Sequence, residues 1–124
     1  MDIYIVNNDG NLFDACGIAA ISALLNTKMP KLENYEIVKG EYSGKLKISS
    51  KPILNTFAKI GNTMIVDPVR SEEKAMNTRF SVCINDDDNI TAFQKGLGGS
   101  FTISEINNAI DIATKNSKQI RKLL

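Results

Sequence analysis

The sequence predicts an α+β fold in which two antiparallel β-hairpins are each followed by a helix, in the order ββαββα. In the first hairpin, apolar residues crowd both sides of Gly61-Asn62, a pair that tolerates positive φ and suits a tight reversal. In the second hairpin, every other residue of 79–84 is a large apolar one, a period typical of a strand with one buried face. Residues 102–123 then repeat apolar side chains at helical spacing.

The composition limits the class of protein to which this chain can belong. A chain of 124 residues forms one domain, or one small domain and a piece of another, and its 43% hydrophobic and 23% charged residues are ordinary for a globular protein. A net charge of +1 gives no overall field toward nucleic acid or anionic membranes. No targeting segment or membrane span is recognisable, so a cytoplasmic location is expected. Cys16 and Cys83 are expected to be free thiols in the core.

The N-terminal region predicts one strand and one helix. Asp2–Val6 is almost entirely apolar, which is typical of a strand covered on both faces. A helix is expected over Leu12–Asn26, with Asn11 as its cap and Asp14 near its positive end. This helix has almost no polar face and is therefore expected to be buried on nearly all sides. One strand cannot cover it, so a partner or a further part of the protein is expected to do so.

A connector is expected to join this region to the hairpins over residues 32–50, because its periodicity is weak. Seven lysines and three glutamates lie between Lys28 and Lys59, and they admit two interpretations: a phosphate-contacting patch, or a solvated linker. The second is favoured, because arginines and interleaved aromatic residues are sparse.

Short signals place the remaining elements. Ser71 is expected to cap a single helical turn between the hairpins, and 85–89 is expected to be the turn of the second hairpin. Thr102 and Glu105 form a capping box for the last helix.

The motifs exclude several kinds of chemistry. The chain has no histidine, which removes Ser-His-Asp and Cys-His nucleophile systems and most zinc sites. The glycine-rich stretch 96–100 lacks the Lys-Ser or Lys-Thr of a phosphate loop, and is expected to be a strand-to-helix turn. Asp86, Asp87 and Asp88 lack the glycine and the distal glutamate of a calcium loop, so they are expected to form a solvated tip.

One acidic group remains as a candidate site. Asp67, Glu72 and Glu73 follow an ordered strand, and paired carboxylates can hold Mg²⁺ or transfer protons. The same residues also suit the first turn of a short helix, with Lys74 and Arg79 nearby. The residues alone leave both interpretations open.

Four stretches carry a family resemblance: 7–25, 57–68, 76–84 and 94–102. Taken in order, they resemble the C-terminal part of an RNase PH-type subunit, in particular the non-catalytic RNase PH-like subunit of the archaeal exosome core. The resemblance implies that residues 1–31 are the closing strand and helix of a ribosomal-S5-like first domain. It implies that 32–50 is a linker and that 51–124 is a second domain of the RNase PH C-terminal type.

The resemblance also implies a function. Active subunits of this family degrade RNA from its 3′ end by phosphorolysis and carry two aspartates six positions apart, which this alignment places at Glu73 and Arg79. Arginine stays protonated, so it cannot act as a base or a metal ligand. The implied role is a non-catalytic component of a hexameric ring beside a catalytic RNase PH-like subunit, with RNA reached through the complex. No cofactor, metal site or RNA-binding residue is implied for this chain.

Two other functions remain open. The chain could be an active phosphorolytic 3′–5′ exoribonuclease that uses Asp67 and Glu73, or a small binding module unrelated to RNA decay. Self-association is also expected, because the N-terminal strand and the apolar helix would leave a sheet edge and an apolar patch exposed.

Overall fold

The computed structural model describes residues 1–124 as three helices and six strands. The elements are α1 (Leu12–Asn26), β1 (Lys28–Glu33), β2 (Glu36–Lys45), β3 (Ile53–Ile60), β4 (Thr63–Val66), α2 (Arg70–Ala75), β5 (Thr78–Ile84), β6 (Ile90–Gly96) and α3 (Ile103–Arg121). Strands β1 and β2 form a separate two-stranded sheet, and the other four form an antiparallel sheet in the order β4-β3-β5-β6. None of the helices is both long and apolar enough to cross a membrane.

The core lies between the four-stranded sheet and α3. Phe57 of β3 is paired with Phe80 of β5, and side chains of both strands pack against α3. Two fully buried alanines, Ala109 and Ala113, let α3 approach the sheet closely. The six residues of this cluster are Phe57, Phe80, Val82, Ile84, Ala109 and Ala113.

Both predicted hairpins are confirmed. Gly61 adopts a φ of 59° in the tight turn between β3 and β4. In the turn between β5 and β6, the Asn85 side chain accepts hydrogen bonds from the backbone N–H groups of Asp87 and Asn89. Asp88 of this exposed tip pairs with Lys118 of α3, so the tip is fastened to the end of the helix.

The predicted start of α3 is also confirmed. The Glu105 N–H donates to Thr102 Oγ1 at 3.2 Å, and the Thr102 N–H donates to Glu105 Oε2 at 2.7 Å, which completes a capping box. The stretch before it is the predicted turn, and Gly99 suits it because a Cβ there would lie only 3.0 Å from Thr78 Cβ.

The predicted strand at Asp2–Val6 is wrong. These residues form no strand, and neither sheet pairs with them. Helix α1 has the predicted bounds and cap, but it is not buried on nearly all sides. It packs on β3, and Ile21 is its only buried residue.

The expectation of an irregular connector is also wrong for most of its length, because β1 and β2 form a hairpin there. Its turn consists of Asn34 and Tyr35, with φ of 50° and 67°. A tyrosine rarely adopts positive φ, and two register shifts interrupt the pairing, so neither turn chemistry nor periodicity indicates the hairpin.

Two smaller expectations also need correction. Helix α2 begins two residues earlier than predicted, and its N-cap is Val69 rather than Ser71; the Glu72 carboxylate accepts a hydrogen bond from the Val69 N–H. Cys16 and Cys83 are free as predicted. Cys16 lies on α1 and Cys83 lies on β5, and both are half-buried rather than in the core.

Candidate functional site at the start of helix α1

The first turn of α1 meets β3, β4 and α2 in a polar cluster centred on Asn11. The Asn11 N–H donates to Glu73 Oε1 at 3.0 Å, and Asn11 Nδ2 donates to Asp67 Oδ1 at 2.7 Å and to Asp14 Oδ2 at 2.8 Å. Asn11 is buried, so these contacts are shielded from solvent. We call Asn11, Asp14, Thr56, Asp67 and Glu73 the α1 junction.

Local backbone geometry brings these residues together. Asn11 adopts the left-handed conformation with a φ of 45°, which asparagine tolerates better than most residues. Gly10 has a φ of 105°, and a Cβ there would lie 2.5 Å from the Pro68 carbonyl oxygen. The Arg70 N–H donates to the Asp9 carbonyl at 2.8 Å. The loop before α1 therefore lies directly against the loop after β4, and only glycine fits at their closest approach.

Asp14 completes the hydrogen bonding of β3 where β4 ends. The last pair between these strands is Phe57 with Val66, so the backbone of Thr56 has no strand partner on that side. Asp14 Oδ2 accepts from the Thr56 N–H at 2.8 Å and Asp14 Oδ1 accepts from Thr56 Oγ1 at 2.7 Å. The Asp67 N–H donates to the Thr56 carbonyl at 3.0 Å. The carboxylate thus substitutes for a neighbouring strand.

Burial raises the pKa of the Asp14 carboxyl above its ordinary value, and the negative charge of Asp67 raises it further. The hydrogen bonds from Asn11 and Thr56 act in the opposite direction, because they stabilise the carboxylate. Desolvation is the largest of these influences, so the folded protein favours the protonated form of Asp14 more than the unfolded chain does.

Arg79 lies next to the α1 junction without joining it. Its guanidinium carbon is 4.1 Å from the centroid of the Phe13 ring, which is a cation–π contact. A Cβ at residue 96 would lie 3.2 Å from Arg79 Nη2, so Gly96 leaves room for the guanidinium. Arg79 forms no ion pair, and its buried Nε has no hydrogen-bond partner. We call Phe13, Arg79 and Gly96 the guanidinium stack.

The structure therefore brings the two predicted site residues to the same helical turn. The Glu73 carboxylate accepts a hydrogen bond from the Asn11 N–H, and the Arg79 guanidinium forms a cation–π contact with the Phe13 ring. The predicted acidic group is divided: Asp67 and Glu73 enter the α1 junction, whereas Glu72 caps α2. No three Asp, Glu, Cys or His side chains are placed to share a metal ion.

Sequence reasoning missed the contacts that define this site. The spacing of Asn11 and Asp14 indicated a helix cap, and the cap is present, but the bonds from Asp14 to Thr56 span 42 residues. Phe13 carried no signal of its own role, because it is one of many apolar residues in α1. The chemistry available here is that of hydrogen-bonded carboxylates beside a fixed cation.

The comparisons with known proteins agree with this architecture. The model of domain 2 of the 3′ exoribonuclease family matches residues 51–116, which include all four strands of the larger sheet, α2 and most of α3. The chain belongs to this family. The α+β fold of the RNase PH C-terminal domain is thus confirmed.

Several members of the family resemble the whole chain. It is 44% identical over 128 residues to a Thermococcus gammatolerans protein named exosome complex component Rrp42, and 42% identical to the protein of that name from Pyrococcus horikoshii. Each alignment covers 100% of this chain and 47% of the relative. The chain therefore spans about half the length of these curated relatives.

Solved structures of the family show the same fold. The chain is 31% identical, with a TM-score of 0.80, to a chain of a structure described as the Archaeoglobus fulgidus exosome with RNA bound to the active site. It is 32% identical, with a TM-score of 0.82, to a chain of an archaeal exosome core. These matches cover 94% of this chain and 44% and 46% of the solved chains.

Proposed function

We propose that this chain is a non-catalytic structural component of an exosome-type ring, in which a neighbouring RNase PH-like subunit degrades RNA from the 3′ end by phosphorolysis. The names of its relatives and the complexes to which its structural neighbours belong support a place in such a ring. The observation that carries the non-catalytic part of the proposal is the environment of Arg79.

Arg79 stands where the family pattern places the second aspartate of the catalytic pair. Arginine side chains in proteins are permanent cations, so an arginine neither accepts a proton nor binds a metal cation. Arg79 also lies on the Phe13 ring, in the space that the absence of a side chain at Gly96 leaves for it. Glu73, at the first position, accepts a hydrogen bond from the backbone at the start of α1.

The alternative, an active exoribonuclease that uses Asp67 and Glu73, has one observation in its favour: Asn11 binds both carboxylates. The same contacts weaken it, because each carboxylate is already hydrogen-bonded within the chain. The non-catalytic role is therefore the one that the geometry supports best.

The organisation of the chain forms part of the same proposal. Residues 1–31 would complete an S5-like first domain, and residues 51–124 would be the second domain, with 32–50 between them. The ring would act in the cytoplasm, for which the two free cysteines suit a reducing compartment. RNA would be reached through the catalytic neighbour.

Phosphate-dependent shortening of a 5′-labelled poly(A) substrate tests the proposal. The purified chain alone is expected to release no nucleoside diphosphate, and a catalytic RNase PH-like subunit is expected to bind it and to degrade the substrate faster in its presence. Phosphorolysis by the chain alone that is lost in Glu73→Gln would establish the active alternative. Failure to bind any catalytic subunit would favour an independent binding module.

A further inference from the structure

Strands β1 and β2 form a ribbon that has little contact with the rest of the chain. We call Lys28–Lys45 the ribbon. The two strands pack on each other, and neither has substantial contact with another helix or strand. None of the ribbon's residues is buried. The Leu46 N–H donates to the Thr27 carbonyl at 2.8 Å and closes the base of the ribbon.

One face of the ribbon is charged, and its lysine is paired with two glutamates. Lys31 Nζ lies 2.9 Å from a Glu33 carboxylate oxygen and 2.8 Å from a Glu41 carboxylate oxygen. These three residues therefore project on one side. Successive residues of a strand point to opposite sides, so Pro30 and Leu32 project on the side opposite Lys31 and Glu33.

The opposite face is apolar and open. Pro30 is paired with Tyr42, and Leu32 is paired with Ile37, so these four side chains share that face. Leu32 is 61% exposed, Ile37 is 63% exposed and Tyr42 is 58% exposed. The ribbon is thus amphipathic, with its apolar face uncovered.

This exposure has an energetic consequence. A two-stranded hairpin is marginally stable in water unless its apolar face packs against another surface. Burying the side chains of Leu32 and Ile37 against another surface would stabilise the complex considerably. Neighbouring exposed apolar residues also commonly mark a protein interface.

Charge indicates what covers the apolar face. Lys28 and Lys45 lie directly opposite each other at the base of the ribbon, and like charges in that position repel. Lys28 Nζ is 5.3 Å from the centroid of the Tyr42 ring, which places it beside the apolar face. Neither lysine forms an ion pair. The complementary surface therefore has an apolar centre and carboxylates near the base of the ribbon.

A second copy of the chain and RNA are both less suitable partners for the apolar face of the ribbon. A second copy packed through the same face would contribute Lys28 and Lys45 but no carboxylate from that face. RNA would neutralise the lysines, but its phosphates would leave Leu32 and Ile37 without an apolar partner.

We propose that the apolar face of the ribbon docks onto a neighbouring protein subunit through an apolar patch flanked by carboxylates. This inference rests on the proposed function, because the neighbour it names is the RNase PH-like subunit beside this chain in the ring. The ribbon would be a specific docking element of this chain, and Lys28 and Lys45 would set its orientation on the neighbouring subunit.

The test measures affinity for the catalytic RNase PH-like subunit by isothermal titration calorimetry. Leu32→Lys combined with Ile37→Lys is expected to weaken binding by at least ~100-fold, because two aliphatic contacts are lost. Lys31→Gln combined with Glu41→Gln alters the charged face alone and is the matched control, expected to stay within about 3-fold, as for an exposed ion pair. Lys28→Glu with Lys45→Glu is expected to weaken binding, and added salt is then expected to strengthen the binding that remains, because it screens the new repulsion.

Far-UV circular dichroism of each variant establishes that the four-stranded domain is intact, which the isolation of the ribbon leads us to expect. If the wild-type chain binds and the apolar variant binds equally well, the docking inference is overturned while the proposed function stands. If the wild-type chain does not bind, the proposed function fails as well. Loss of self-association or of poly(A) binding in the apolar variant, with subunit binding unchanged, would identify a second copy or RNA as the occupant and overturn the inference.

Discussion

Asp14 is expected to fasten α1 to the sheet, and two substitutions separate the contribution of its hydrogen bonds from that of its charge. Asp14→Ala removes every acceptor that the side chain offers. Asp14→Asn keeps an oxygen where Oδ2 now accepts from the Thr56 N–H and Asn11 Nδ2, and places an amide nitrogen next to Thr56 Oγ1. That hydroxyl can accept from the amide because it also lies 2.9 Å from Ser81 Oγ, to which it can donate.

The magnitude follows from the donors left without an acceptor. Thr56 is buried, and its orphaned N–H in Asp14→Ala costs about 1–3 kcal/mol. The Asn11 amide keeps its bond to Asp67, and removal of a partly buried charge offsets some of the loss. We therefore expect Asp14→Ala to lower the free energy of unfolding by about 1–3 kcal/mol, and Asp14→Asn to leave it unchanged or raise it slightly at neutral pH.

The pH dependence adds an independent check. The folded-state pKa of Asp14 is raised, so the unfolded chain loses this proton at a lower pH than the folded chain does. The contribution of Asp14 to stability is therefore full below its unfolded pKa and decreases as pH rises through the folded pKa. Asparagine does not titrate, so the stability of Asp14→Asn relative to wild type is expected to increase over that interval and then to remain constant.

Guanidinium chloride unfolding, followed by circular dichroism because the chain has no tryptophan, measures these differences from pH 4 upward. The reasoning is refuted if Asp14→Ala unfolds at the wild-type midpoint, or if both variants lose the same stability at every pH. The first result would mean that Thr56 finds another acceptor, and the second that the side-chain oxygen contributes nothing.

Two further substitutions probe packing. Gly96→Val is expected to displace the guanidinium from Phe13 and to lower the free energy of unfolding by about 1 kcal/mol. This loss of stability should vanish when Arg79 is already replaced by alanine. An equal loss with and without Arg79 would show that Gly96 acts through the strand alone. Ala113→Leu is expected to cost about 1–3 kcal/mol by overpacking α3 against the sheet, and an unchanged melting temperature would contradict the close approach of that helix.

Local patterns were sufficient to predict the four-stranded domain. The alternation along β5, the Gly61 turn and the Thr102–Glu105 capping box each depend on residues close in sequence, and each is present. The α1 helix likewise has its predicted bounds and its Asn11 cap. Propensity, patterning and capping agree in these segments, which is why they could be read from the residues alone.

The remaining features depend on residues far apart in sequence or on unusual backbone geometry. Phe13 and Arg79 meet only because α1 packs on the sheet, and no spacing rule connects them. The ribbon turns at Tyr35 with positive φ, which local rules disfavour. The apolar run before α1 has the composition of a strand, but a strand also needs an edge with which to pair.

The corner formed by the α1 junction and the guanidinium stack also bears on why an arginine suits position 79. Three carboxylates, those of Asp14, Asp67 and Glu73, converge on the first turn of α1, and the pKa of Asp14 is already raised by burial and by Asp67. A fourth carboxylate at position 79 would add like charge to this corner and would lose the contact with Phe13. Arginine at this position adds no negative charge to the corner and keeps the contact with Phe13. The feature that argues against catalysis by this chain is thus also one that favours its folded state.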